Sequence, residues 1–133
     1  RLRKVVNVTS ISGLSGTIGQ VAYSSAKAGV IGLTKTLSKE WGRFGINVNT
    51  VAFGLIDTRL TVAAQGPQNS IEIEGKQIAV GVNPELRERW KDVIPLGRAG
   101  TADEAAGAVV MLCGTQADYI SGQVILCAGG LVA

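Results

Sequence analysis

Histidine is absent from the 133 residues of the chain. Its absence excludes catalytic arrangements in which an imidazole moves a proton, such as the Ser-His-Asp triad and the Cys-His pair. It also excludes the His-Glu-x-x-His zinc helix and every other metal site with histidine ligands. Whole reaction classes are therefore excluded by composition alone, and we expect no metal site.

Cysteine is scarce as well, with only Cys113 and Cys127 present. One lies in an apolar helical stretch and the other in a strand-like stretch, so we interpret both as small core residues. No signal peptide or lipid anchor is recognisable. The longest apolar run, 105–114, is far shorter than the ~20 residues of a membrane span. These absences predict a cytoplasmic protein without a membrane partner.

Charge and aromatic content are low, at 17% and 5% of the residues. The net charge is +3, and its basic excess clusters only at Arg1, Arg3 and Lys4. A nucleic-acid-binding protein needs a dense basic stripe or interleaved aromatic residues. We therefore expect no nucleic-acid partner.

The length and the apolar fraction of 46% fit one domain, or part of one, with its own core. The chain opens at Arg1 without methionine and enters an apolar strand almost at once. This start is typical of a cut sequence, and we expect 1–133 to form a single partial domain.

Hydrophobic periodicity predicts alternating strands and helices. Val5–Val8 is a strand, the Gly/Ser-rich 12–19 a loop, and a helix begins at Val21 or Ala22 and runs to Trp41. The further expected elements are a strand over 46–53, a hairpin within 70–82, a charged helix over 84–93, a helix over 105–113 preceded by a capping box at Thr101 and Glu104, and a strand over 124–128.

Helical connections between apolar strands predict parallel pairing in an α/β sandwich with helices on both faces. Only three such strands can be counted, which is few for a doubly wound sheet, so the first should leave an apolar edge uncovered. Gly29 and Gly32 each cost the long helix ~1 kcal/mol relative to alanine. We expect something to pack tightly against them.

Tyr23 and Lys27 stand four residues apart, so a phenol and an ammonium project from one face of the same helix. A free phenol titrates near pH ~10, and a nearby cation favours the phenolate form. Ser10 ends a strand, where open α/β sheets place ligands, and its hydroxyl could bind a substrate oxygen that becomes negative. The pair alone is also compatible with a half-buried aromatic residue beside a surface lysine.

The stretch 6–30 combines Ser10, a glycine-rich loop, Gln20 and the run Tyr23-Ser24-Ser25-Ala26-Lys27. This stretch resembles the catalytic segment of the short-chain dehydrogenase/reductase family, in particular its 3-oxoacyl-(acyl carrier protein) reductase branch. The likeness continues through 46–51, 94–98 and 119–123 to Gly129-Gly130. It implies the C-terminal, catalytic half of a doubly wound Rossmann-type sheet.

The resemblance also implies roles for individual residues. Tyr23 would be the general acid in ketone reduction and the base in the reverse direction, and Ser10 would polarise the carbonyl. Lys27 would favour the phenolate and bind the nicotinamide ribose together with Tyr23. The turn after the second strand would line the nicotinamide of NAD or NADP, through Gly54, Ile56 and Thr58.

Three departures from the family pattern stand out. Phe53-Gly54 replaces the usual Pro-Gly, which predicts a looser or differently shaped turn. The segment 61–93 is longer than usual, so the substrate class stays open. No Gly-x-Gly-x-x-Gly occurs, because the spacing within 13–19 does not suit a phosphate cradle. We therefore expect the dinucleotide-phosphate-binding half to be absent and cofactor binding by the isolated chain to be weak or absent.

Two functions follow as hypotheses. The first is the catalytic half of a nicotinamide-dependent oxidoreductase that acts on a small-molecule ketone or secondary alcohol, such as a 3-oxoacyl thioester. The second is a catalytically inactive fragment that serves as an oligomerising module through its exposed strand edge and long helix. Both predict a homo-oligomer, either a dimer or a tetramer.

Overall fold

A computed structural model describes residues 3–59, 61, 70–79 and 84–131. It contains strands and helices in the alternation that the sequence predicts. The strands are β1 (Arg3–Ser10), β2 (Ile46–Phe53), β3 (Ser70–Ile73), β4 (Lys76–Ala79) and β5 (Val124–Cys127), and the helices are α1 (Ser12–Ser15), α2 (Val21–Trp41), α3 (Pro84–Val93) and α4 (Ala102–Cys113). Short 3₁₀ turns follow α2 and α4, at Gly42–Phe44 and Thr115–Ala117.

Strands β1, β2 and β5 form a parallel sheet in the order β1-β2-β5. Strand β1 pairs with β2 along its whole length, so Ser10 lies opposite Phe53, which in turn lies opposite Cys127. The three strands therefore end at the same edge of the sheet. The predicted α/β architecture with three parallel strands is confirmed.

Helices cover both faces of this sheet. On one face Asn7 donates a hydrogen bond to the Thr34 hydroxyl of α2 at 3.0 Å. On the opposite face Val51 of β2 and Leu112 of α4 are fully buried against each other. Because side chains alternate along a strand, the two helices lie on opposite sides, as predicted.

Two buried asparagines of β2 hold the segment that leads into β5. The Asn47 amide nitrogen lies 2.9–3.2 Å from three backbone carbonyls within 117–120. The Asn49 amide donates to the Ile120 carbonyl at 2.8 Å and accepts the N–H of Gln123 at 3.0 Å. The two side-chain amides thus supply hydrogen-bond partners for backbone groups of 117–123.

The smaller elements also agree with the sequence. Strands β3 and β4 form the expected antiparallel hairpin. Its turn residues Glu74 and Gly75 both have positive φ, 51° and 75°, as a two-residue turn of type I′ requires. The part of the hairpin prediction at 80–82 lies outside the described residues. Helix α4 begins with the predicted capping box at Thr101 and Glu104.

The expectation of tight packing at Gly29 and Gly32 is wrong for this chain. Among the residues that the structure describes, nothing lies within 4 Å of a Cβ added to either glycine. The physical reason is that α2 meets the sheet with its opposite face, where Thr34 is its buried residue. The two glycines lie on the outward face.

The interpretation of both cysteines as core residues is also wrong for Cys113, which is exposed, whereas Cys127 is half-buried. Leu112 takes the inward position at the end of α4, and the next residue of a helix points about 100° away. Both thiols are free.

Apolar groups remain at the surface of the sheet and of α4. Within the described residues β1 pairs only with β2, so the other edge of β1 has no strand beside it, as expected. Val110 and Met111 of α4 are exposed, at 68% and 55%. None of the described helices combines the length and apolar character that crossing a membrane requires.

The start of α4 leads to a prediction about pH. The Glu104 carboxylate accepts two bonds from the Arg98 guanidinium, at 2.7 and 2.8 Å, and one from the Thr101 N–H at 2.8 Å. The bond from Arg98 above all, then that from Thr101, lowers the pKa of Glu104 from 4.5 to about 2. Because the folded-state pKa is lowered, this stabilisation is complete above the unfolded pKa and is lost as the pH falls through the folded pKa.

We expect Glu104→Gln to lower the melting temperature at neutral pH, and the difference from the wild type to shrink as the pH falls from 4.5 to about 2. Thermal denaturation of the natural gene product at a series of pH values measures this. Asp103→Asn, one residue earlier, is the control, with a smaller effect because Asp103 is not part of the capping box. A difference that stays constant through this pH range would contradict the prediction.

Candidate active site

Ser10 lies at the carboxyl end of β1 and is buried, at 9% exposure. The N–H of Ser12 donates to the Ser10 hydroxyl oxygen at 3.1 Å. The N–H of Ile11 donates to the Phe53 carbonyl at 3.1 Å and holds this turn beside β2. Since a hydroxyl both accepts and donates, the Ser10 hydrogen can still be given to a bound oxygen.

Tyr23 and Lys27 lie in the first two turns of α2. The Lys27 ammonium is 5.7 Å from the centroid of the Tyr23 ring, which is within the range of a cation–π contact, about 6 Å. Tyr23 is 46% exposed and Lys27 is half-buried. The Lys27 ammonium therefore lies beside the aromatic ring of Tyr23, one turn further along the same helix.

Two contacts hold this part of α2 in place, one with β1 and one with α1. The buried Thr9 hydroxyl donates to the Lys27 carbonyl oxygen at 2.7 Å. Gly13 of α1 lies so close that an added Cβ would be 2.6 Å from the Lys27 carbonyl carbon and 2.8 Å from the Ala28 nitrogen. Only a residue without Cβ fits there. The glycine-rich loop thus brings α1 into direct contact with the backbone of α2.

Ser10 and Tyr23 line one cavity of about 570 Å³. Gly54 from the end of β2 lines the same cavity, and α3 closes it with Trp90 and Val93. The structure thus brings together three of the predicted site residues, and Lys27 joins them through its contact with the Tyr23 ring. Ile56 and Thr58 lie in the loop that follows Gly54 and do not line the cavity.

The loop with Ile56 and Thr58 is shaped by two sets of bonds. Ile56 forms an isolated parallel bridge with Gly100 through the N–H of Asp57, which donates to the Gly100 carbonyl at 2.8 Å. In such a bridge the N–H and C=O of Ile56 itself point away from Gly100. On the side that faces away from Gly100, the Thr61 hydroxyl donates to the Ile56 carbonyl and accepts the N–H of Thr58 at 2.9 Å.

The turn at Gly54 is closely packed. A Cβ at Gly54 would lie 2.8 Å from the Ala128 Cβ, and the Gly54 N–H donates to the Cys127 carbonyl at 3.0 Å. The replacement of the family's Pro-Gly by Phe53-Gly54 therefore leaves a turn that is held firmly against β5. A looser turn, as the sequence suggested, is not what the structure contains.

A second cavity of about 340 Å³ lies between the end of β5 and the start of α4. Its charged lining residues are Arg98 and Glu104, which bind each other. The hydroxyl groups of Ser10 and Tyr23, which could bind a substrate oxygen or transfer a proton, line the first cavity instead. The described residues contain no cluster of three or more cysteine or acidic side chains suited to a metal ion.

Sequence reasoning missed the residues that build and support the cavity. The sequence predicts α3 as a charged helix, but Trp90 and Val93 lie three residues apart in it. This helical spacing of apolar residues is the available signal that the two side chains share one face of α3. Thr9 and Gly13 gave no recognisable signal. Their roles depend on contacts with residues 14 to 18 positions away, which only the folded chain reveals.

Comparison with known proteins shows the family of the chain. A family model described as enoyl-(acyl carrier protein) reductase matches residues 3–132. The chain belongs to the short-chain dehydrogenase/reductase family. It is similar to a solved short-chain dehydrogenase from Bacillus anthracis, with 33% identity and a TM-score of 0.75, over 96% of this chain and 43% of that one.

Curated relatives in the family carry a more specific name. The 3-oxoacyl-[acyl-carrier-protein] reductase FabG of Aquifex aeolicus is 38% identical over 98% of this chain and 46% of its own length. The protein of that name from Chlamydia muridarum is 41% identical over 96% of this chain and 44% of its own length. The chain thus spans about half the length of the curated relatives it matches.

The contact at Gly13 can be tested by Gly13→Ala. We expect the variant to lose about 1–3 kcal/mol of unfolding free energy, because the methyl group would overlap the Lys27 backbone. Urea denaturation of the natural gene product measures this. Gly107→Ala in α4 is the control, since nothing lies within 4 Å of its added Cβ, and it should be neutral or stabilising. Equal losses in the two variants would refute the contact.

Proposed function

We propose that the chain carries the catalytic residues of an oxidoreductase that transfers hydride between NAD(P)(H) and a ketone or secondary alcohol. The observation that supports this most strongly is the placement of Ser10 and Tyr23 on one cavity, with the Lys27 ammonium against the Tyr23 ring. Two hydroxyl groups are the donors that a carbonyl oxygen needs when it gains negative charge.

In the proposed reduction, the phenol of Tyr23 gives its proton to the carbonyl oxygen of the substrate. The Ser10 hydroxyl donates a hydrogen bond to the same oxygen, while the N–H of Ser12 orients the Ser10 oxygen. The Lys27 ammonium stabilises the phenolate that remains. In the direction of alcohol oxidation, the phenolate of Tyr23 takes the proton back.

The cavity residues, together with Lys27 and the loop after Gly54, have the chemistry to hold a nicotinamide cofactor. Lys27 and Tyr23 can donate hydrogen bonds to ribose hydroxyls, and the Ile56 backbone and Thr58 hydroxyl can bind a carboxamide. Gly54 adds a surface without a side chain. The nicotinamide supplies the hydride, which no protein side chain can donate. NAD and NADP both fit this set of residues.

We further propose a 3-oxoacyl thioester as the substrate. The names of the FabG relatives support this choice. The apolar wall of Trp90, Val93 and Ile94 suits an apolar chain next to the reacting carbon. The family model carries the name of an enoyl reductase, whereas these curated relatives are named for the reduction of a 3-oxoacyl group.

Cofactor affinity should depend on more than these 133 residues. The sequence has no Gly-x-Gly-x-x-Gly turn to bind the pyrophosphate, and the curated relatives are about twice as long. We therefore propose that 1–133 is one part of a dinucleotide-binding domain. Weak or absent binding of NAD(P)(H) by the isolated chain follows from this.

The proton transfer is tested by Tyr23→Phe in the natural gene product. We expect kcat for reduction of a 3-oxoacyl thioester to fall by at least about 100-fold, because phenylalanine has no proton to give. The absorbance of NAD(P)H measures the rate. Tyr119→Phe is the matched control, because Tyr119 is fully exposed and does not line the cavity, so its activity should equal that of the wild type.

Equal activity of Tyr23→Phe and the wild type would contradict the proposed mechanism. A wild-type gene product that shows no NAD(P)(H) binding by titration calorimetry would contradict the proposed function as a whole. It would instead favour the alternative function, an inactive chain that serves as an oligomerising module.

Self-association is proposed under either function. The edge of β1 without a neighbouring strand and the exposed apolar residues Leu33, Val110 and Met111 support it, because such surfaces favour pairing with another chain. We expect analytical ultracentrifugation of the natural gene product to give a dimer or tetramer. Sedimentation as a single monomeric species would contradict this.

A further inference from the structure

Arg87 connects two walls of the active-site cavity that are distant in sequence. It lies in α3, and its guanidinium forms an ion pair with Asp57 in the loop after β2. Its Nε also donates to the Thr61 carbonyl at 3.1 Å. The Arg87 side chain is only 15% exposed, whereas Asp57 is 47% exposed. A single planar guanidinium thus holds the loop at two points.

The loop that Arg87 holds at these two points contains Ile56 and Thr58, to which we assigned the nicotinamide carboxamide. The Thr61 hydroxyl contacts the Ile56 carbonyl and the Thr58 N–H from inside the loop. Arg87 binds the same loop from α3, through the Asp57 carboxylate and the Thr61 carbonyl. Ile56, Asp57, Thr58 and Thr61 are therefore all held by side-chain bonds of Thr61 or Arg87.

The same helix forms the wall of the cavity. Trp90 and Val93 lie three and six residues after Arg87 and line the cavity together with Ser10 and Tyr23. An altered contact at Arg87 would move the loop and the α3 wall relative to each other. In the proposed function, cofactor binding by the loop and substrate binding by α3 therefore both depend on the Arg87 side chain.

Arginine suits this task because its fork makes two directed bonds in fixed geometry. A partly exposed ion pair adds little to the stability of a protein. The contribution of Arg87 should therefore be seen in the geometry of the loop more than in the melting temperature.

We propose that Arg87 is a positioning residue, which acts through Asp57 and Thr61 to hold the loop that binds the nicotinamide carboxamide and to couple that loop to the α3 wall. This inference rests on the proposed function. It assigns Arg87 no contact with substrate or cofactor.

The test is a double-mutant cycle in the natural gene product with Arg87→Gln, Asp57→Asn and the double variant. We expect Arg87→Gln to raise the KM for NAD(P)H by about tenfold, since small misplacements of a binding group cost this much or more, with little change in melting temperature. Asp57→Asn should have a smaller effect, because the bond to Thr61 persists. The double variant should be no worse than Arg87→Gln, because the ion pair that Asp57→Asn removes is already lost in Arg87→Gln.

Lys91→Gln is the matched control, because it breaks the ion pair of Lys91 with Glu88 on the same helix, at 2.7 Å, without touching the loop. Its KM for NAD(P)H should equal that of the wild type. Arg87→Lys should recover only part of the loss, because lysine keeps the charge but not the fork.

The outcomes separate this inference from the proposed function. An active wild type with an unchanged KM for NAD(P)H in Arg87→Gln would overturn the inference alone, as would effects that simply add in the double variant. An inactive wild type would overturn both. If Arg87→Gln does not fold, Asp57→Asn decides by the same KM measurement, since it changes only a half-exposed side chain.

Discussion

The candidate active site depends on one contact, the hydrogen bond from the buried Thr9 hydroxyl to the Lys27 carbonyl. Thr9 is the neighbour of Ser10 in β1, so this bond joins the strand that carries Ser10 to the helix that carries Tyr23 and Lys27. Gly13 reinforces the contact from the other side by lying against the same peptide group. The positions of Ser10, Tyr23 and Lys27 relative to one another follow from these two contacts, because helix and strand are each rigid.

Polar packing of this kind is more directional than an apolar core. Between α2 and the sheet, Asn7 with Thr34 and Thr9 with Lys27 form bonds that permit one register of the helix on the strand. Between α4 and the sheet, Val51 and Leu112 pack without such bonds. The face with directed bonds is the face that holds Tyr23 and Lys27, and in the proposed mechanism a displacement of about 1 Å there would cost activity.

Much of the fold could be predicted from local pattern. The bounds of β2, the long helix α2, the hairpin around Glu74 and the capping box at Thr101 were all readable because they depend on neighbours in sequence. The candidate catalytic residues came from spacing together with a family resemblance, and their chemistry stays a prediction. Exposure was harder to predict, as Cys113 and the outward Gly29 show, because it depends on which side of a helix meets the sheet. Contacts such as that of Arg87 with Asp57 join residues 30 positions apart and leave no trace in periodicity.

The asparagines of β2 have a consequence for how this protein can change in the course of evolution. Asn47 and Asn49 fasten 117–123 directly to the central strand, across 70 to 74 residues. The hairpin β3–β4 and helix α3 lie inside that long closed segment. Because the entropy of closing a loop grows only with the logarithm of its length, doubling such a segment costs about 0.6 kcal/mol. The segment that contains the hairpin and α3 can therefore lengthen, shorten or be exchanged while the sheet and the serine, tyrosine and lysine at its edge keep their places.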